Sequence, residues 1–189
     1  RRMESWRFGT PGNESLEHAE AALPVAPEAL APIIREHASM PEALRIVYAN
    51  GLPVSIPEEL PEGLSVMDME DFVLQCPDTA RKYLETETET LGSEKLSALT
   101  MALQHNGLVI MADREISLPL EILHFISGDN VAVFPSTLLI AETGSRLHIL
   151  ERHLSADHGR QFCGALQQYH LSSASSVKYA LVQELNSRS

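Results

Sequence analysis

The chain has 189 residues, of which 44% are hydrophobic and 21% charged, as in an ordinary globular protein. Its formal net charge of −12 at pH 7 repels phosphate groups, so nucleic acid and anionic membranes are poor candidate partners. No apolar run reaches the roughly 18 residues that a membrane span requires, and the first residues lack the apolar block of a secretory signal. We therefore expect a cytoplasmic protein.

The first hundred residues are predicted to contain helices joined by proline-bearing loops. Asn13 is a good N-cap, Pro27 suits the first turn of a helix, and Leu96, Leu99 and Leu103 share one stripe. The acidic Glu-Thr repeat at 85–90 has no apolar face to bury and predicts an exposed linker. The predicted helices are Asn13–Ala22, a helix from Pro27 toward His37, one starting near Asp68, and Ser93–His105.

Short β-like segments follow a different pattern. Asn50-Gly51 separates Arg45–Ala49 from Leu52–Ile56 and predicts a hairpin in which Pro53 occupies an edge strand. No helix-length segment separates the later β-like segments, which argues against a βαβ sheet and leaves a sandwich, a barrel or a β-solenoid. These segments are Leu64–Val66, Leu108–Met111, Leu120–Ile126, Val131–Phe134, Leu138–Ala141, Leu147–Glu151, Phe162–Tyr169 and Val177–Leu185.

Several short motifs occur in an order and spacing that resemble the N-terminal part of the SufB/SufD family of iron–sulfur cluster assembly proteins, and the SufD branch most. The strongest match is the segment Leu138–Glu151, which resembles a family β-strand repeat. Ser136 departs from the arginine that the family commonly carries there. The other matching segments are Glu4–Phe8, Val47–Gly51, Gly63–Val66, Lys95–Ile110, Leu118–Ile122 and Val177–Leu185.

This resemblance implies a mainly β fold, with the first rungs of a right-handed parallel β-helix preceded by a small α-rich domain. The implied domains are residues 1–106, which include the hairpin, and residues 107–189, the start of a β-helix that is truncated relative to the family. Residues 1–90 carry 17 acidic and 7 basic side chains and residues 91–189 carry 9 and 7, which also indicates two regions with different roles.

The resemblance further implies a scaffold subunit that acts with a SufB-like protein and a SufC-like ABC ATPase. In such a complex the iron–sulfur cluster is the product, and we expect this chain alone to bind no cofactor. A SufB-type cluster scaffold is the alternative within the family. The residues for ATPase contact and cluster transfer would lie in the missing C-terminal part.

Histidines and a cysteine provide weak candidates for a metal site. His153, Asp157 and His158 could converge across a turn, whereas the spacing of His148 and His153 places them on opposite faces of a strand. Cys163 is a thiolate candidate, although one thiol in an apolar strand is more often a core residue. The other cysteine, Cys76, precedes a proline and forms no Cys-x-x-Cys pair with it. We therefore expect no metal on the isolated chain.

An enzyme is the competing hypothesis, specifically a carbohydrate-active enzyme on a β-helix. The chain lacks the motifs of P-loop hydrolases, Rossmann oxidoreductases and HExxH metalloproteases. Its candidate carboxylates Glu121, Glu142, Glu151 and Asp157 include no pair at i, i+2 on one strand. A non-catalytic protein is therefore expected.

The β-prone segment Val177–Leu185 near the chain end predicts association through an open strand edge. A homodimer is one form that this association would take.

Overall fold

The computed structural model describes residues 19–84, 94–104, 106–156 and 158–186. Three features from the sequence lie outside these ranges: the motif at Glu4–Phe8, the Glu-Thr repeat at 85–90, and the candidate ligand Asp157. Most of the helix expected over Asn13–Ala22 also lies outside them. Its last residues do not continue a helix, because Glu20–Ala21 forms a short strand.

Four helices occur within the described ranges, and their starts follow local chemistry. Pro27 and Pro77 each stand in a first turn, where a missing N–H costs no hydrogen bond. The Asp68 carboxylate accepts a hydrogen bond of 2.8 Å from the Asp71 backbone N–H and caps the second helix. None of these helices is long and apolar enough to cross a membrane. The helices are α1 Pro27–His37, α2 Met69–Gln75, α3 Pro77–Leu84 and α4 Glu94–Leu103.

Most of the remaining described residues form strands, in nearly the places that the sequence indicates. The segment expected as one strand over Phe162–Tyr169 is divided at Gly164, where a Cβ atom would come within 2.9 Å of the Phe134 ring. The strands are β1 Glu20–Ala21, β2 Leu44–Ala49, β3 Leu52–Ser55, β4 Leu64–Asp68, β5 Gly107–Ala112, β6 Leu120–Ile126, β7 Val131–Val133, β8 Ser136–Ala141, β9 Arg146–Ser155, β10 Gln161–Cys163, β11 Leu166–Leu171 and β12 Ser176–Glu184.

These strands form three sheets. The five-stranded sheet has the order β12-β9-β6-β2-β3, the four-stranded sheet β11-β8-β5-β4, and the three-stranded sheet β1-β7-β10. The Asn50-Gly51 hairpin is confirmed as β2–β3, and Pro53 lies in β3 at the edge of its sheet. Both Asn50 and Gly51 have positive φ, which is what a two-residue hairpin turn requires.

The predicted fold class, a mainly β protein with a right-handed parallel β-helix, is wrong. The described residues form a mixed α/β structure of three parallel or mixed sheets and four helices, although most of the structure is sheet. The physical reason is that the first half of the chain contributes strands as well as helices. In that half β2 and β3 pair antiparallel, and β4 pairs antiparallel with β5. The division into residues 1–106 and 107–189 stays a prediction.

The largest hydrophobic core lies between the five-stranded and four-stranded sheets. Its side chains alternate along the strands, as period-two patterning requires, and include Ile46, Ile110, Ile122, Leu139 and Leu147. On the outer face of the four-stranded sheet, helices α2 and α3 cover a second cluster around Phe72. The largest core ends where the inward-facing residues of β6 and β9 change from apolar to polar. The candidate site lies at that boundary.

Candidate metal centre

A cluster of three buried polar side chains lies at the C-terminal ends of two neighbouring strands. The parallel register of β6 and β9 places His124 beside His153 and Ile122 beside Glu151. Glu151 and His153 are two residues apart, so both side chains lie on the same face of β9. Glu151 and His153 are completely buried, and His124 is 3% exposed. The register of a parallel pair therefore assembles the cluster from residues distant in sequence.

The potential ligand atoms of the three side chains converge. One ligand atom from each of His124, Glu151 and His153 lies within 4.8 Å of the others. The Nε2 atom of His153 is 2.6 Å from Glu151 Oε1, and Nε2 of His124 is 3.5 Å from the same oxygen. The two imidazole rings meet edge to face, with centroids 4.9 Å apart. The geometry is that of two imidazoles around one carboxylate.

Further contacts to Glu151 come from strands β8, β11 and β12. The Tyr179 hydroxyl of β12 donates a hydrogen bond to Oε2. The Gln167 amide of β11 donates to Oε1 over 3.2 Å, and the Thr137 hydroxyl of β8 lies 3.4 Å from Oε2. Because its two oxygens have several partners, the carboxylate is held in one orientation. All three of the strands that supply these contacts lie at or beside the sheet edges.

Burial and proximity shift the protonation of the cluster. Burial lowers the pKa of His124 to about 4, so this imidazole is neutral at pH 7. Burial alone would raise the pKa of Glu151 and lower that of His153, but close contacts reverse both shifts. The Cys163 thiol and the Glu151 carboxylate raise the pKa of His153, while His153, His124 and Tyr179 lower the pKa of Glu151. The pKa of Glu151 falls and that of His153 rises. Glu151 and His153 thus form a buried ion pair beside a neutral imidazole.

His124 is the unusual member of the cluster because, among the residues that the structure describes, neither of its ring nitrogens has a hydrogen-bond partner. Its approach to Glu151 lacks hydrogen-bond geometry despite the distance of 3.5 Å. Leaving a buried polar group without a partner costs about 1–3 kcal/mol. The neutral ring therefore presents an available lone pair inside a polar cluster.

Two of the four sequence-predicted candidates come together here. His153 belongs to the cluster, and Cys163 Sγ lies 3.6 Å from its second ring nitrogen, Nδ1. His158 is exposed, and Asp157 lies outside the described residues. His148 is exposed whereas His153 is buried, and the free Cys76 is half-buried beside the Phe72 cluster. His153 and Cys163 are therefore the pair that the geometry supports.

Sequence reasoning missed His124 entirely and did not pair Glu151 with His153. Two signals were present in the sequence. First, the strand Leu120–Ile126 is apolar except for Glu121 and His124. Second, Glu151-x-His153 has the i, i+2 spacing that places two ligands on one strand face. His124 and His153 are 29 positions apart in the sequence. Their proximity depends on strand register and has no local sequence signature.

The other candidate carboxylates have structural partners. Glu121 is buried and accepts hydrogen bonds from the backbone N–H of Ser39 at 2.9 Å and its hydroxyl at 2.7 Å. Its second oxygen lies 2.8 Å from Nε of Arg45. Glu142 accepts a hydrogen bond of 3.0 Å from the Tyr83 hydroxyl. Both carboxylates thus connect the strands to segments in the first half of the chain.

We expect Glu121→Gln to be destabilising near neutral pH, with an effect that disappears in acid. Burial raises the pKa of Glu121, but the bonds from Ser39 and Arg45 more than offset this and lower it. A carboxyl with a lowered folded-state pKa contributes stability above its unfolded pKa of about 4.3, and loses it as pH falls through the folded value. Urea unfolding of Glu121→Gln and the parent chain between neutral and acidic pH checks this. A pH-independent difference would contradict it.

The donor set has a clear chemical preference. Two imidazole nitrogens and one carboxylate oxygen bind zinc in hydrolases and ferrous iron in non-haem enzymes. The thiol of Cys163 faces the nitrogen of His153 that is turned away from Glu151, which is the position of an outer partner that orients a ligating histidine. The arrangement is therefore suited to one divalent transition-metal ion.

Comparison with known proteins gives a similarity over part of the chain. A segment of 97 residues is 30% identical to iron–sulfur cluster assembly SufBD family proteins of Mycobacterium bovis and of two strains of Mycobacterium tuberculosis. It covers 50% of this chain and only 11% of each mycobacterial protein. No family model matches the chain. This is a similarity to SufBD family proteins over part of the chain, and it does not distinguish SufD from SufB.

Proposed function

We propose that this chain is a non-catalytic scaffold component in iron–sulfur cluster assembly. The observation that carries the proposal is the 30% identity over 97 residues to proteins named for that process. Its partners would be a SufB-like protein and a SufC-like ABC ATPase, and the cluster would be the product of the complex. The motif resemblance that includes Trp6-Arg7-Phe8 favours the SufD role over the SufB role.

The positions of the carboxylates favour a scaffold over a polysaccharide-cleaving enzyme. Such an enzyme needs two carboxyl groups that flank its substrate. Glu121 and Glu151 are fully buried and are already bonded to Arg45 and His153. A polymer could not reach either group without opening the sheets. The net charge of −12 likewise supports protein partners rather than nucleic acid.

The proposed function is tested by deleting the coding sequence of this chain from the organism that carries it. We expect the activities of iron–sulfur enzymes such as aconitase to fall several-fold under iron limitation, because cluster supply would fail. Enzymes without clusters provide the matched control, and expression of the parent chain should restore the lost activities. Unchanged aconitase activity under iron limitation would contradict the proposal.

A further inference from the structure

We propose that His124, Glu151 and His153 bind one divalent transition-metal ion, and that this ion is ferrous iron if the proposed function holds. The three side chains place one ligand atom each within 4.8 Å of one another in a buried position. Metal–ligand bonds of about 2.0–2.2 Å to imidazole nitrogen and carboxylate oxygen fit this spacing after small side-chain rotations. This reverses the sequence-based expectation that the isolated chain binds no metal.

The partnerless imidazole is the observation that distinguishes a metal site from a structural ion pair. A hydrogen-bonded pair of Glu151 and His153 would satisfy both groups without His124. The His124 ring nevertheless lies beside them, and within the described part of the chain neither of its buried nitrogens has a hydrogen-bond partner. A metal ion would give this ring a partner and would take the place of the proton between Glu151 and His153. An apolar residue would otherwise fit the position better.

The groups around the cluster also match what a metal site requires. The hydroxyl of Tyr179 and the amide of Gln167 hold the carboxylate, and the Cys163 thiol contacts the outer nitrogen of His153. Such outer partners fix the orientation of first ligands. Tyr179, Gln167 and Cys163 are half-buried, so the side chains around the site are partly exposed to solvent.

The test is an anaerobic titration of the chelator-treated full chain with Co²⁺, followed by competition with Fe²⁺ and with Zn²⁺. We expect about one ion per chain, with the visible absorption of Co²⁺ in a low-symmetry coordination site. No thiolate charge-transfer band should appear, because the ligands are nitrogen and oxygen. His124→Leu removes a direct ligand and should weaken binding at least tenfold, since loss of even an outer-shell partner typically costs about 10–100-fold in affinity. It should fold at least as well as the parent, because it removes a partnerless buried group.

His148→Leu is the matched control, since His148 is an exposed histidine on the same strand as His153. This variant should bind cobalt like the parent chain. Three results would overturn the proposal: no saturable binding, equal binding by His124→Leu and the parent, or a strong thiolate band. Because the readout is metal binding, its failure leaves the aconitase result standing, and a failed deletion test leaves the metal result standing.

Discussion

Replacing Glu151 by alanine in metal-free buffer is expected to lower the free energy of unfolding by about 3–5 kcal/mol, the range for breaking a buried charge pair from one side. The carboxylate is fully buried and lies 2.6 Å from His153 Nε2. Its removal also leaves the Tyr179 hydroxyl and the Gln167 amide without their acceptor. Urea unfolding followed by circular dichroism measures the change.

Two further variants show whether burial causes this loss. Glu115→Ala removes an exposed carboxylate that lies 3.6 Å from Arg146, and we expect a change within about 0.5 kcal/mol. Replacing Glu151 and His153 together by leucine should recover part of the loss, because both members of the pair are removed. Equal stability of Glu151→Ala and Glu115→Ala would mean that the carboxylate is not buried among these partners.

The sequence predicted best those features that depend on neighbouring residues. The Asn50-Gly51 hairpin follows from two residues that adopt positive φ, and α1 starts at Pro27 because proline suits a first turn. Alternation along β9 correctly separates exposed His148 from buried His153. These properties require no knowledge of which strands become neighbours.

Features that depend on strand pairing could not be predicted in the same way. Glu20 and Ala21 continue a helix-like pattern, yet they pair with Val131 and Ala132 of β7. The metal cluster depends on the register of β6 with β9, because a shift of one residue would turn His124 away from His153. The fold class was predicted wrongly for a related reason. It was inferred from a family resemblance, whereas the observed strand pairing includes antiparallel strands from the first half of the chain.

Leu139→Ala is the second variant with a large expected effect, a loss of about 2–5 kcal/mol of unfolding free energy. Leu139 is completely buried in the core between the five-stranded and four-stranded sheets. On β8 it pairs with Ile110 of β5 and Tyr169 of β11, so strands on both sides restrict the collapse of a cavity. The cost should therefore include both lost burial and the residual void. Urea unfolding measures this loss, provided that the free energy of unfolding depends on urea concentration with the same slope in the variant and in the parent chain.

Leu171→Ala provides the matched control, because this leucine lies on the adjacent strand β11 and is 56% exposed. We expect its effect to stay within about 0.5 kcal/mol. Leu139→Met, which nearly conserves volume, should cost less than about 1.5 kcal/mol. The expected order of stability is thus the parent and Leu171→Ala first, then Leu139→Met, then Leu139→Ala. A Leu139→Ala variant as stable as Leu171→Ala would contradict the packing of the two sheets around one core, because only a site open to solvent tolerates that truncation.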